Sequence, residues 1–225
     1  MKPKLRSSQR GESGLLDLFV MLIAVAAVVF VGYAYMHRPR RMAGRINCVN
    51  NVKQIGLSFR IWAGDNGDKY PMQVPTNLGG TMEFVASGDV FPHFAVMSNE
   101  LGTPKIIVCP NDPNRISATN FANLSATNVS FFIVAEADKR IPEMWLSGDR
   151  NLANNNLPLR PGLFWLPTNR VTSWTSQMHS NKGNICLVDG SVQQYTSTKL
   201  QPSATNSLRA YQDATAKVTF RLLIP

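Results

Sequence analysis

Residues 45–71 read RINCVNNVKQIGLSFRIWAGDNGDKYP. Within them Cys48, Val52, Ile55, Phe59 and Trp62 follow one another at steps of four, three, four and three. That spacing places five apolar side chains on one face of an α-helix. Asn50, Asn51, Lys53, Gln54 and Arg60 fall largely on the other faces. Residues 64–67, GDNG, then stop the helix, with glycine supplying the left-handed turn. A stripe of this kind needs a folded partner to cover it.

Upstream, residues 18–36 read LFVMLIAVAAVVFVGYAYM, without a charge. The run is long enough to cross a bilayer as a helix. It is apolar on every face, which a surface helix of a globular protein is not. Tyr33 and Tyr35 lie near one end, where amphipathic rings favour the membrane interface. A second reading is a cleaved secretory signal with Gly32-Tyr33-Ala34 as the small-x-small site. The helical pattern that continues past that site favours an anchor. The expected organisation is a basic cytoplasmic leader (1–17), a transmembrane helix (18–36), its amphipathic continuation (37–63) and a globular head (64–225).

The charge distribution agrees with a membrane protein. The net charge is +9, but residues 1–45 carry eight of the 23 bases against two acids, and the other 180 residues carry 15 bases and 12 acids. The excess flanks the apolar run, which suits anionic lipid headgroups. A nucleic-acid partner would need a basic stripe on the folded part, and none is expected. Four bases precede the span and four closely follow it, so loop charge does not orient it. The low charged fraction of 16% and the Asn-, Ser- and Thr-rich sequence after residue 110 favour a head outside the cytoplasm.

Three cysteines are present, Cys48, Cys109 and Cys186, and none belongs to a C-x-x-C pair, so neither zinc nor a thioredoxin-like centre is indicated. Cys186 lies in an apolar, strand-like run. In an oxidising compartment this leaves Cys48 and Cys109 as the expected disulfide, with three free thiols as the alternative.

Residues 179–190, HSNKGNICLVDG, contain the other candidate chemistry. Residues 184–188 read as a short strand, Asp189-Gly190 as a two-residue type I′ turn, and residues 191–195 as the returning strand. His179 has no such local reason. A histidine pinning the loop by a hydrogen bond is the favoured reading. A ligand role with a carboxylate and a catalytic His–Asp pair are the alternatives. Catalysis would require a nucleophile or second acid within reach, and Ser173, Ser176 and Ser180 form no recognisable elbow.

Four segments, taken in order, carry a family resemblance. They are C-x-N-N-x-K-Q-I-G-L from Cys48 with its N-G-D-K-Y-P exit, VCPND (108–112), LSGDRN (146–151), and His179 followed after nine residues by Asp189-Gly190. Together they resemble the prepilin-type H-X9-DG family, pilin- and pseudopilin-like proteins, over about residues 40–225. The resemblance implies a pilin-like α+β fold, a long N-terminal transmembrane and amphipathic helix packed on a small antiparallel sheet. It implies a non-enzymatic structural role in a type II secretion or type IV pilus-like apparatus. The expected setting is a single-pass protein of the bacterial inner membrane, its N-terminus cytoplasmic and its C-terminal domain periplasmic or extracellular. The implied partners are other pilin or pseudopilin subunits, inner-membrane lipids and a secretion platform protein.

The N-terminus departs from that pattern. Gly14-Leu15 is the nearest match to a processing site, but the fifth position of the mature chain would be Phe19, where the family has glutamate. The only nearby acid is Asp17, at the third position, and Gly11 is no better a site, since Leu16 would then be fifth. A minor or tip subunit fits this departure. The other functional reading is a membrane-anchored periplasmic module binding a glycan, peptide or metal ion.

Major pseudopilins of type II secretion bind calcium in a surface loop, so the resemblance makes the loop acids Asp65 and Asp68 candidate Ca2+ ligands. A helix cap and turn is the competing reading, and no other cofactor is expected. Trp145, Phe164, Trp165 and Trp174 are either a binding platform or the local core of folded-over loops. Strands are expected near 105–109, 129–135, 184–188, 191–195 and 217–223, with a loop region over 64–104.

Overall fold

The structure is a computed structural model and describes residues 10–166 and 172–225, the side chains of residues 10–13, 15 and 37–42 excepted. Residues 1–9 of the basic leader, and the side chain of Leu15 at the candidate processing site, therefore lie outside the described residues. The protein is α+β. Helix α1 covers Arg10–Asp65. The chain divides into two compact units, residues 1–43 and 44–225.

The first unit is the apolar half of α1. Leu16–Met36 has a mean hydropathy of 2.5 and none of it is buried. It is apolar and long enough to cross a membrane. It begins two residues before the expected span and so takes in Asp17. Gly14 is helical.

The second unit holds the core. All five stripe residues, Cys48, Val52, Ile55, Phe59 and Trp62, are buried. Two glycines explain how closely this half of the helix packs. A methyl group on Gly44 would strike the Asn111 side chain, and one on Gly56 would strike Cys186 Sγ. The helix ends as expected: Asp68 N–H donates to Ala63 O (2.8 Å), and Gly67 and Asp68 take the left-handed conformation.

Within the expected loop region, the chain after Asp65 forms short helices, α2 (Phe84–Ser87), α3 (Phe91–Ala95) and α4 (Ser98–Leu101). Among the described residues nine strands follow: β1 (Phe131–Val134), β2 (Trp145–Asp149), β3 (Leu152–Asn154), β4 (Leu157–Pro158), β5 (Gly162–Trp165), β6 (Thr172–Trp174), β7 (Lys182–Leu187), β8 (Val192–Thr196) and β9 (Arg221–Ile224). Six make one sheet in the order β5-β9-β1-β2-β7-β8, and three make a second, β4-β3-β6. Every pairing among the described residues is antiparallel.

The expected strands near 129–135, 184–188, 191–195 and 217–223 correspond to β1, β7, β8 and β9. The one expected over 105–109 is not a strand. Pro104–Ile107 forms a 3-10 turn, started by the Thr103 side chain accepting from Lys105 N–H. Proline at its first position favours that start.

Helix α5 (Ser197–Thr215) was not expected. It buries Leu200, Ala204, Ser207, Leu208 and Tyr211. Its hydroxyls also serve β2. Ser207 Oγ accepts from Trp145 N–H (2.9 Å) and Ser203 Oγ from Trp145 Nε1–H (3.0 Å).

The β7–β8 connection corrects the expected two-residue turn. Gly190 N–H donates to Leu187 O and Leu187 N–H to Ser191 O, both at 2.9 Å. Only Gly190 of the loop has positive φ, +87°. This is a three-residue loop, a type I turn followed by a left-handed glycine. A type I′ turn would need positive φ at both central residues.

Candidate functional site

Four side chains from four separate segments meet inside the second unit. Cys48 comes from α1, Cys109 from the extended chain after the 3-10 turn, Asp149 from the end of β2, and His179 from the loop before β7. Their ligand atoms all lie within 4.8 Å of one another. His179 Nε2 is 3.3 Å from Cys48 Sγ, 3.4 Å from Cys109 Sγ and 3.3 Å from Asp149 Oδ2. Cys48 Sγ is 3.3 Å from Asp149 Oδ1. His179 is 2% exposed and the other three are fully buried.

Each side chain is held by groups from the same four motif segments. Asn51 Nδ2 donates to Val108 O (3.0 Å), fixing the approach to Cys109. Asp149 Oδ2 accepts from the N–H and Nδ2 of Asn184, at 2.7 and 2.9 Å. Asn151 Nδ2 donates to Thr175 O and Lys182 O, at 3.0 and 3.2 Å, clamping both ends of the loop that carries His179. Within that loop Ser180 and Asn181 are both left-handed, at φ 54° and 60°. Such backbone persists only where its surroundings enforce it. Asn111 Nδ2 lies 3.5 Å from His179 Nδ1.

Beside the cluster, Arg150 grips Asp112 through two hydrogen bonds of 2.7 Å, and Ser130 Oγ donates to the same carboxylate (2.9 Å). Burial works to raise the Asp112 carboxyl, but Arg150, together with the Asn114 N–H and the Ser130 hydroxyl, outweighs it and holds the group below the ordinary carboxylate range. Asp149 differs. Burial raises its carboxyl, and His179 and Asn184 only partly oppose this. Burial of Cys48 pushes its thiol upward, with Cys109 and Asp149 adding to the effect. Cys109 is pulled down to about 7, chiefly by its contact with Cys48 and also by His179. Desolvation opposes the imidazolium of His179, but Cys109 and Asp149 prevail and raise it. The cluster therefore holds a thiol inclined to ionise beside an imidazole inclined to keep its proton.

No protein-family model, curated protein or solved structure matches the chain.

The structure redistributes the residues singled out in the sequence. Cys48 and Cys109 are together, but as free thiols rather than the expected disulfide. Cys186 is free and buried, as a core residue should be. His179 and Asp189 serve different ends of the head half of α1. His179 meets Cys48, while the Asp189 carbonyl accepts from Arg60 Nη1 (2.6 Å). Cys48 and Arg60 are about 18 Å apart along the helix axis. Gly190 faces the same arginine, whose Nη1 a methyl group there would approach to 2.8 Å.

At the candidate calcium loop, Asp65 is the last residue of α1 and Asp68 is engaged by the ammonium of Lys139. An open hollow of ≈ 520 Å³ lies there, between residues 67–73 and 138–140. Trp145 and Trp174 are buried, Phe164 is half-buried, and Trp165 is exposed under the Arg221 guanidinium, 5.4 Å from its ring centre.

Sequence reasoning missed Asp149. The residue stands inside the quoted LSGDRN segment, where nothing in its local spacing marks it as a ligand. Cys48, Cys109 and His179 were noticed, but not as one site, because 61, 40 and 30 positions separate the four donors. The available signal was that each ordered motif contributes one side chain able to bind a metal.

Proposed function

We propose that the protein is a non-enzymatic, pilin-like structural component of a type II secretion or type IV pilus-like apparatus, anchored by a single span in the bacterial inner membrane. Its head lies on the periplasmic or extracellular side. The observation that carries this reading is the division of labour along α1. One stretch is apolar on every side and entirely uncovered, and a later stretch supplies the spine of a folded core. An uncovered apolar helix is suited to lipid and to other such helices.

A non-catalytic head is supported by the sealing of the cysteine–histidine–aspartate cluster, which no substrate reaches at 0–2% exposure. The separate engagements of His179 and Asp189 give the same support. The missing family glutamate favours a minor or tip position over the body of a filament.

The test is mass spectrometry of the mature N-terminus together with photo-cross-linking from a residue within 16–36 in the native membrane. Processing near Gly14-Leu15 and cross-links to other single-span, pilin-like subunits are expected. An intact Met1 with cross-links only to lipid would overturn the assembly role and leave a stationary anchored module.

A further inference from the structure

We infer that Cys48, Cys109, Asp149 and His179 form a buried zinc site that ties α1 to the head. The geometry is that of a four-coordinate cage. Zinc sits about 2.3 Å from sulfur and about 2.0–2.2 Å from nitrogen or oxygen, so neighbouring donors of a tetrahedral site lie about 3.3–3.8 Å apart. His179 Nε2 stands 3.3 Å from Cys48 Sγ, 3.4 Å from Cys109 Sγ and 3.3 Å from Asp149 Oδ2, while the other carboxylate oxygen, Oδ1, lies 3.3 Å from Cys48 Sγ; with one donor atom from each residue, all are within 4.8 Å of one another.

The donor set points to the metal. Two thiolates with an imidazole and a carboxylate suit zinc, while magnesium and calcium require oxygen. Four protein ligands with no open position mark a structural site rather than a catalytic one.

Hydrogen bonding alone accounts for the arrangement less well. His179 Nε2 faces two sulfurs and a carboxylate oxygen at nearly equal distances. One ring nitrogen carries at most one proton, so it serves one of the three. A cation at their centre serves all four groups together.

The surroundings are those of a metal centre. Asn184 fixes the carboxylate through two donors, and Asn111 approaches the other ring nitrogen. Partners of this kind orient metal ligands. With its amide turned so that the oxygen faces the ring, Asn111 accepts the Nδ1 proton and leaves Nε2 free to bind; the two amide orientations are not distinguished by heavy-atom positions. Binding would release to solvent the two protons that the thiols and the imidazole Nε2 hold between them, leaving two thiolates, a carboxylate and a neutral imidazole around the dication, a site of one net negative charge. Arg45, three residues before Cys48, contributes an opposing charge felt at His179.

The inference does not depend on the pilin-like reading, because the cage lies entirely within residues 44–225. The experiment is elemental analysis of the full-length chain, purified in detergent under reducing conditions from zinc-supplemented cells. Reconstitution with Co2+ and absorption spectroscopy follow. About one zinc per chain is expected, with cobalt giving the intense visible bands and sulfur-to-metal charge transfer of a tetrahedral thiolate site. His179→Gln and Cys109→Ser should each lower the zinc content at least fivefold, whereas Cys186→Ser should not change it. The cobalt spectrum of the unaltered chain keeps the test decisive if a variant fails to fold. A chain that folds without metal and exposes three reactive thiols on denaturation would overturn the site in favour of a hydrogen-bonded cluster. One that isolates with a Cys48–Cys109 disulfide would overturn it in favour of oxidation.

Discussion

Two buried histidines occupy opposite kinds of surroundings. His93, on α3, is fully buried, with Nδ1 against Thr81 Oγ1 at 2.5 Å and no protein partner for Nε2 among the described residues. Burial drives its pKa down to about 4, with Asp89 only weakly opposing. His179 is equally hidden but faces two thiols and a carboxylate, and its pKa moves up. The same side chain is thus an uncharged packing element in one place and the centre of a polar cluster in the other. Burial alone does not say which. The number of groups converging on a single ring nitrogen does.

The largest expected effect comes from removing what makes the second site different. In the metal-free chain, Asp149→Ala leaves the Asn184 donors and the Cys48 thiol without their acceptor in a sealed interior. Chemical denaturation of the full chain in detergent should show a loss of about 3–5 kcal/mol, the range for breaking a buried polar pair by deleting one partner. A loss under about 1 kcal/mol would mean that the cluster is loosely held and resembles His93 more than the geometry implies.

The next effect is one of pH. Because His93 has a depressed pKa in the folded chain, the unfolded chain binds more protons between about 6.5 and 4. Stability should therefore fall as pH drops through that window, by up to about 3 kcal/mol from this group. His93→Gln should flatten that part of the profile, as read from denaturation midpoints at a series of pH values. An unchanged slope would place the titration elsewhere.

A smaller effect probes the hydrogen bond between the His93 ring and Thr81. Thr81→Val should cost about 1–2 kcal/mol in the same assay, because it leaves both ring nitrogens unpaired in the interior. The smallest effect belongs to the exposed end of the H-X9-DG stretch. Arg60→Ala removes a bond to the Asp189 carbonyl that solvent can replace, and should cost about 0.5–1 kcal/mol. That contrast would separate the two ends of the motif by energy as well as by position.

Much of this was legible in the sequence where periodicity was strong. The stripe from Cys48 to Trp62 and the strands on either side of Asp189-Gly190 declare themselves by spacing. Helix α5 also has a stripe, at Leu200, Ala204, Ser207, Leu208 and Tyr211. Two of its five positions are alanine and serine, and Pro202 lies within it, so the apolar signal was diluted. The turn after Val188 was misread because Asp-Gly serves both two- and three-residue loops, and backbone angles decide between them. The cluster was legible only as fragments. Long-range convergence of Cys48, Cys109, Asp149 and His179 is a tertiary fact. A rule that looks for closely spaced cysteines does not register ligands delivered one per segment.

Gly44 and Gly56 are separated by twelve residues, and each faces a fixed object, Asn111 for one and Cys186 for the other. They act as two notches on a keyed shaft. Deleting or inserting a single residue between them would turn one notch by about 100° relative to the other, forcing a side chain into a space built for none. Changes of length are therefore barred from this stretch of the helix.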